Sequence, residues 1–380
     1  MQLETFRYTS RKGWDRQPDQ QLDSPDTLVL VFGPADLNEL QAPLSALRAC
    51  YPQAVWAGAS TAGEILDRSI DDDTLTVAVA RFANTGLRAV THSLAGAGDS
   101  YDAASTIARQ LDAGDLRGIL VFADGLHVNG SELARGFASA LPSGIVVTGG
   151  LAGDGSRFAH TWVLGQAAPT SGAIVAIGFY GKHIKLDHGS AGGWDVLGIE
   201  RKVTRASSNV LFELDGQPAL PLYRKYLGER AGDLPASGLL FPLAIHSGNE
   251  HDEVTVRTIL GIDEGQQSIT FAGDIPEGAT VQLMRANFER LIDGAARAAE
   301  HCHAGHTDEP VLALAISCVG RREVLKERCE EELEAVLDTL PPSTRMVGFY
   351  SYGELSPLRG NCCDLHNQTM TLTLIREDLA

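Results

Sequence analysis

Apolar runs and polar breaks follow one another along this chain in a recurring order. Thr27–Phe32 (TLVLVF) is continuously apolar or β-branched, which predicts a buried strand. Leu37, Leu40, Leu44 and Leu47 then recur at helical spacing, and Pro43 stands where a second helical segment can begin. Ala54–Gly58 (AVWAG) predicts the next strand and delivers the chain into GASTAGEI, Gly58–Ile65; after Asp71, Asp72 and Asp73, TLTVAVARF predicts a third. The order returns with a strand at Gly118–Phe122 and a helix capped by Asn129 that carries Leu133, Phe137 and Leu141. GIVVT then enters TGGLAGD, Thr148–Asp154, and Thr161–Leu164 (TWVL) is the expected outgoing strand. It returns once more at Val311–Ser317, followed by one helix with Val324, Leu325, Cys329, Leu333, Val336 and Leu337 on a single face. RMVGF then leads into GFYSYGEL, Gly348–Leu355, and Thr369–Ile375 leads out. Three strand–helix–strand–turn–strand units organise the chain.

The three turns share a frame. In GASTAGEI and GFYSYGEL a glycine is followed by two variable residues, a hydroxyl residue (Thr61 or Ser351), one more residue, and then Gly-Glu. TGGLAGD is a looser copy that ends in Gly153-Asp154. Gly63 and Gly353 are expected at positive φ, where glycine alone is unstrained. Two roles stand open for Glu64, Asp154 and Glu354. They either accept bonds from a ligand, with Ser60, Thr61, Ser351 and Tyr352 beside it, or accept the N–H groups of their own turns. Between the second and third units, Ser171–Gly181 predicts a strand, and KHIKLDHGSAGGWDVLG is rich in glycine. Alternation in VTVRTIL, SITFAG and ATVQLM predicts antiparallel strands, and Phe288, Leu291, Ile292 and Ala295 mark a helix. The Gly- and Pro-rich interval Gly228–Gly238 is the expected boundary: a lead-in over 1–26, then domains over 27–231 and 238–380. The fold class is α/β, two related domains with mixed sheets flanked by helices. Two face-to-face sheets with helices outside is the alternative.

Charge and composition remove several function classes. The 380 residues carry 40 glycines, a 44% hydrophobic fraction and a formal net charge of −18, which together describe an acidic globular protein. Such a surface repels phosphate backbones and anionic lipids, so neither nucleic acid nor a membrane is an expected partner. There is no apolar run of roughly 20 residues, no apolar core in MQLETFRYTSRKGW, and only six cysteines, so a reduced cytoplasmic protein is expected. An enzyme is not expected, because GxSxG, a Gly-Lys-Ser/Thr phosphate loop and HExxH are all missing. His301, Cys302, His303 and His306, with Cys362, Cys363 and His366, have zinc-like residue types without paired two-residue spacing. They read as a solvated helix end and half-buried thiols, and zinc is not expected. His183 and His188 fall on opposite faces if their stretch is extended, with His188 sharing the apolar face of Ile184 and Leu186. A packed histidine beside a glycine loop and a metal ligand both fit that position.

GASTAGEI, GGLAGDG, the VTR…NVLFELDGQPAL run and SYGEL…LHNQTMTLTL together resemble the FIST family of bacterial sensory proteins, over about residues 27–375. HGSAGGWDVLG further resembles the stand-alone members described as nitric-oxide-sensing haemoproteins. That resemblance implies a cytoplasmic sensor that binds haem b and a diatomic gas and regulates a partner histidine kinase or cyclic-di-GMP enzyme. It implies His188 as the haem iron ligand, with His183 in reserve, Gly189, Gly192 and Gly193 letting backbone approach the flat ring, and Trp194 at its edge. A haem-free module for a small ligand such as an amino acid is the alternative, with Thr61, Gly63, Glu64, Asp154, Ser351, Tyr352 and Glu354 as its contacts. An enzyme of unknown chemistry comes third.

Overall fold

Apolar strands alternating with amphipathic helices build sheets that helices cover, and a computed structural model describes residues 1–94, 99–246, 254–302, 307–357 and 363–378. The lead-in already belongs to this scheme, since β1 (Gln2–Thr9) pairs along its whole length with the outgoing strand of the first unit. That unit comprises β2 (Thr27–Gly33), α1 (Gln41–Cys50), β3 (Val55–Ser60), the short β4 (Glu64–Leu66) and β5 (Thr74–Arg81). The second comprises β6 (Gly86–Ser93), α2 (Ser100–Leu111), β7 (Leu116–Ala123), α3 (Gly130–Ala140), β8 (Val146–Leu151), β9 (Val163–Leu164) and β10 (Ala173–Tyr180). Strand β11 (Ile184–Ala191) leads to an inserted antiparallel module that contains β12 (Asp195–Ser207), α4 (Ala219–Leu227), β13 (Leu243–His246), β14 (Thr255–Arg257) and β15 (Thr280–Arg285). The third unit comprises α5 (Phe288–His301), β16 (Val311–Cys318), α6 (Val319–Leu325), α7 (Cys329–Thr339), β17 (Thr344–Ser351), β18 (Gly353–Pro357), β19 (Cys363–His366) and β20 (Met370–Glu377).

One pairing pattern occurs in each unit. β2 lies parallel to β3 and antiparallel to β5; β7 lies parallel to β8 and antiparallel to β10; β16 lies parallel to β17 and antiparallel to β20. Strands β1, β6 and β11 flank the outgoing strands. The strand after each turn leaves its own unit: β4 pairs with β17, β18 with β8, and β9 with β3. Each sheet is thus completed by a strand from another unit, and the exchange closes in a cycle. Three equivalent backbone bonds fix it: Ala62 N–H to Tyr350 O (2.8 Å), Tyr352 N–H to Leu151 O (3.2 Å) and Gly153 N–H to Ser60 O (2.9 Å).

The fold is α/β with mixed sheets flanked by helices, as the patterning predicts, and the inner faces of the three six-stranded sheets meet in one core. Phe32, Phe122 and Phe349, one from each sheet, touch there with ring centroids 4.9 to 6.1 Å apart. Burying each such side chain is worth roughly 1.5–3 kcal/mol. Helix α1 covers the outer face of the first sheet, α2 and α3 that of the second, and α5 to α7 that of the third. Asn129 caps α3, accepting from Ser131 N–H (3.0 Å) and Glu132 N–H (3.1 Å).

Several expectations are corrected. Thr161–Leu164 does not supply the outgoing strand of the second unit; Val163–Leu164 crosses to the first sheet, and Ala173–Tyr180 takes the outgoing place. The helix expected across Val324–Leu337 is two, separated where Lys326 adopts φ +51°. Three six-stranded sheets, rather than two face to face, share this core, and the inserted module carries an eight-stranded fourth. Strands β4 and β11 share a sheet with β16, β17 and β20, so pairing crosses the interval 231–238.

Gly58, Gly149 and Gly348 hold the same place in β3, β8 and β17, opposite Val31, Val121 and Ala315. A Cβ there would stand 2.0, 1.8 and 1.8 Å from the partner's carbonyl oxygen, a clash that only backbone movement relieves. Gly58→Ala and Gly348→Ala are each expected to lower stability by about 1–3 kcal/mol or more. Gly114→Ala, where a Cβ meets nothing within 4 Å, should leave the denaturant midpoint unchanged. Equal midpoints for all three variants would disprove the close-approach argument.

Candidate functional site

The turn acids face inward. Glu64 is 1% and Glu354 0% exposed. Glu64 Oε1 accepts from the Thr61 hydroxyl, and its Oε2 accepts from Thr74 N–H and Thr74 Oγ1, both at 3.1 Å. Glu354 repeats this, accepting from Ser351 Oγ (2.6 Å) and from Thr369 N–H (3.4 Å). Each carboxyl therefore ties a turn to the first residue of the outgoing segment, and the structure favours the turn-holding role left open by the sequence. Burial outweighs these bonds and pushes the carboxyl of Glu64 up to about 7 and that of Glu354 to about 8.

The third turn departs from the frame. Gly153 occupies the place of Ala62 and Tyr352, so Asp154 is not equivalent to Glu64. The tie to the outgoing strand comes instead from Asp124, a residue the turn pattern did not single out, which accepts from Gly172 N–H (2.7 Å) and Thr161 Oγ1 (2.8 Å). An acid placed directly after a buried strand was the available signal. Asp154 accepts from the Tyr352 hydroxyl and from Phe158, Ala159 and His160 N–H at 2.8–2.9 Å. Burial raises its pKa, but these bonds outweigh that and hold it below the usual carboxylate range. Thr61 and Asp154 also border an open groove of about 610 Å³ shared with Arg322 and Lys326. Gly63 has φ +130° as expected, whereas Gly353 does not have positive φ; its Cβ would instead stand 2.9 Å from Leu365 Cδ1 and 3.0 Å from Leu151 Cδ1.

The histidine stretch is strand β11, and its two faces separate as alternation requires. Leu186 reaches the second sheet at Gly118, whereas the Gly189 position faces α5. His188 is half-buried, and burial lowers its pKa against the pull of Asp187. It has no hydrogen-bond partner among the described residues, whereas His183 Nδ1 lies 3.2 Å from Asp378 O. The Cβ positions of Gly189 and Gly193 fall 2.0 Å from Ala298 O and 2.1 Å from Arg290 O, so these glycines let α5 approach the strand. Of the zinc-like group, His303, His306 and Cys362 lie outside the described residues; Cys302 is buried, its thiol pushed up by burial, 3.4 Å from Ala298 O.

What Gly192, Gly193 and Trp194 do line is a cavity of about 280 Å³ between the third unit and the inserted module. Ser190, Thr255, Asp364, His366, Asn367 and Thr369 form the rest of its polar wall. Asn367 is 1% exposed, yet neither its Oδ1 nor its Nδ2 has a hydrogen-bond partner among the described residues. The cavity floor is tied to its surroundings. Trp194 Nε1 donates to Gln368 O (2.9 Å), and Gln368 Nε2 donates to Thr258 Oγ1 (2.9 Å) and Leu239 O (3.2 Å). Behind it, Arg321 donates to Gly192 O (2.9 Å) and Leu291 O (2.7 Å) and pairs with Glu332 at 2.7 Å, the pair wholly buried.

Two family models match the chain, one described as the FIST N domain over residues 27–217 and one as the FIST C domain over residues 219–357. No curated protein matches it.

The raised turn carboxyls predict a pH dependence. In the unfolded chain a glutamate titrates near ~4.3, so between that pH and 7–8 the folded state holds protons that the unfolded state has lost. The stability these groups contribute is therefore complete at low pH and is lost as pH rises through about 7 and 8. Glu64→Gln and Glu354→Gln, which mimic the protonated form, should match the parent near pH 5 and exceed it at pH 9 in chemical denaturation. A parent–variant difference that does not change with pH would contradict this.

Proposed function

The chain belongs to the FIST family, whose domains are sensory and ligand-binding rather than catalytic, and on that premise we propose that it is a signal-transduction sensor for a compact polar molecule held beside Asn367. The buried, unpartnered amide carries this reading. Leaving such a group unsatisfied costs about 1–3 kcal/mol, a cost that a ligand's own donor and acceptor remove. At about 280 Å³ the cavity sits near the lower end of the roughly 300–1,000 Å³ typical of small-molecule sites, which suits an amino-acid-sized molecule. Its connections suit signalling. A ligand that shifts the turn at Asn367–Thr369 acts on the inserted module through Gln368, and one that shifts Gly192 acts on α6 and α7 through Arg321 and Glu332. A separate histidine kinase or cyclic-di-GMP enzyme would read that change, to the extent that it distinguishes the two states.

The second reading is haem-dependent nitric oxide sensing through His188. The half-buried imidazole, its pKa lowered by burial and its ring without a hydrogen-bond partner among the described residues, supports it, and the filling of the Gly189 and Gly193 positions by α5 opposes it.

Thermal-shift screening with free amino acids and nucleobases tests the first reading. At least one neutral or cationic molecule should raise the melting temperature by several degrees. Asn367→Leu should abolish that rise while its own ligand-free melting temperature is unchanged or higher, since both unpaired atoms are removed together. No shift with any compound, or the same shift in the variant, would eliminate the cavity as the input site. A Soret band and a nitric oxide response, both lost in His188→Ala, would carry the second reading instead.

A further inference from the structure

Internal repetition shows what the Asn367 position is shaped to hold. Thr74 and Thr369 are equivalent, each giving its N–H to a buried turn glutamate. Asp72 and Asn367, two residues earlier in each unit, are then equivalent as well, and the residues between, Asp73 and Gln368, share φ values of 59° and 61°. In the first unit the position is filled: the Arg322 guanidinium lies against Asp72 with two contacts, Nη1 to Oδ1 and Nη2 to Oδ2, both 2.7 Å. In the third unit the same position carries an amide with no partner among the described residues. The exchange of carboxylate for amide changes what fits. Two acceptors suit the fork of an arginine, whereas one acceptor beside one donor suits a planar group that presents a donor and an acceptor side by side.

The rest of the cavity narrows the class. Trp194, Val256 and Met284 give it apolar walls suited to the faces of a ring. Asp364 lines it, and no Lys or Arg is among the described residues that do. The guanidiniums behind its wall are engaged by the Leu365 carbonyl (Arg257) and by the Gly192 carbonyl and Glu332 (Arg321), so a carboxylate or phosphate would meet Asp364 with no lining cation to pair with. A neutral, flat, compact heterocycle meets every condition, and an asparagine amide makes a two-point pair with the N6/N7 edge of adenine.

We propose that this cavity binds a free purine base of the adenine type, its donor–acceptor edge paired with the Asn367 amide and its ring between the apolar walls. The assignment rests on the reading of the cavity as the sensory input. Isothermal titration calorimetry on the full chain tests it with adenine, adenosine monophosphate and L-glutamine as probes. Adenine should bind at one site, at least tenfold more tightly than glutamine or the monophosphate. Asn367→Leu should weaken adenine tenfold or more, and Asn367→Asp, which keeps the shape but loses the donor, should do so comparably. If the leucine variant fails to fold, the aspartate variant decides alone. Glutamine binding that Asn367→Leu removes, with adenine silent, overturns the purine assignment and leaves the cavity as a sensory site. Adenine binding undiminished in both variants, or glutamine and adenine equal in affinity, also overturns it.

Discussion

A ring of three backbone hydrogen bonds, from Ala62 to Tyr350, Tyr352 to Leu151 and Gly153 to Ser60, closes the exchange of strands on which everything else in this protein depends. Because β4, β18 and β9 each complete a sheet begun by another unit, the sheets are mutually dependent. An incomplete sheet would expose unpaired N–H and C=O groups along an edge, which is costly once buried. The crossing is possible only because the preceding strand carries a glycine, Gly58, Gly149 or Gly348, at the point where a partner carbonyl comes too close for a Cβ. Closure also brings Phe32, Phe122 and Phe349 together, so backbone exchange and the central core are one constraint seen at two levels.

The buried acids belong to the same device. Each outgoing segment must be turned back into its own sheet, and its first N–H is satisfied by a carboxyl: Glu64 for Thr74, Glu354 for Thr369 and Asp124 for Gly172. Two of these carboxyls come from the turn and one from the end of a strand. That difference lets Asp154 serve another purpose, gathering the N–H groups of Phe158, Ala159 and His160 into an ordered loop.

The proposed site lies where the repetition breaks. The position before the outgoing strand pairs with Arg322 at the edge of an open groove in the first unit, whereas in the third it is buried beside a cavity beneath the inserted module. Asn367 is next in sequence to Gln368, whose side chain reaches the module, and Gly192 is bonded to Arg321, so the cavity touches two elements able to carry a signal outward.

The sequence by itself determined the α/β class, the three repeated units, the turn glycine at Gly63 and the placement of His188 on the inner face of its strand, because periods of two and 3.6 and the torsional freedom of glycine are local properties. It also placed Asn129 as a cap, since that bond closes within three residues. It did not show that strands change sheets, that Val163–Leu164 leaves the second unit, or that Asp124 replaces Asp154, because each depends on partners 37 or more residues away. The glycines after His188 were legible as a place of close approach, but only packing decided that the approaching group is α5. Asn367 carried no local signal at all. An asparagine in a turn is ordinary, and what distinguishes this one is the lack of any partner among the described residues, a property that exists only once the chain has folded around it.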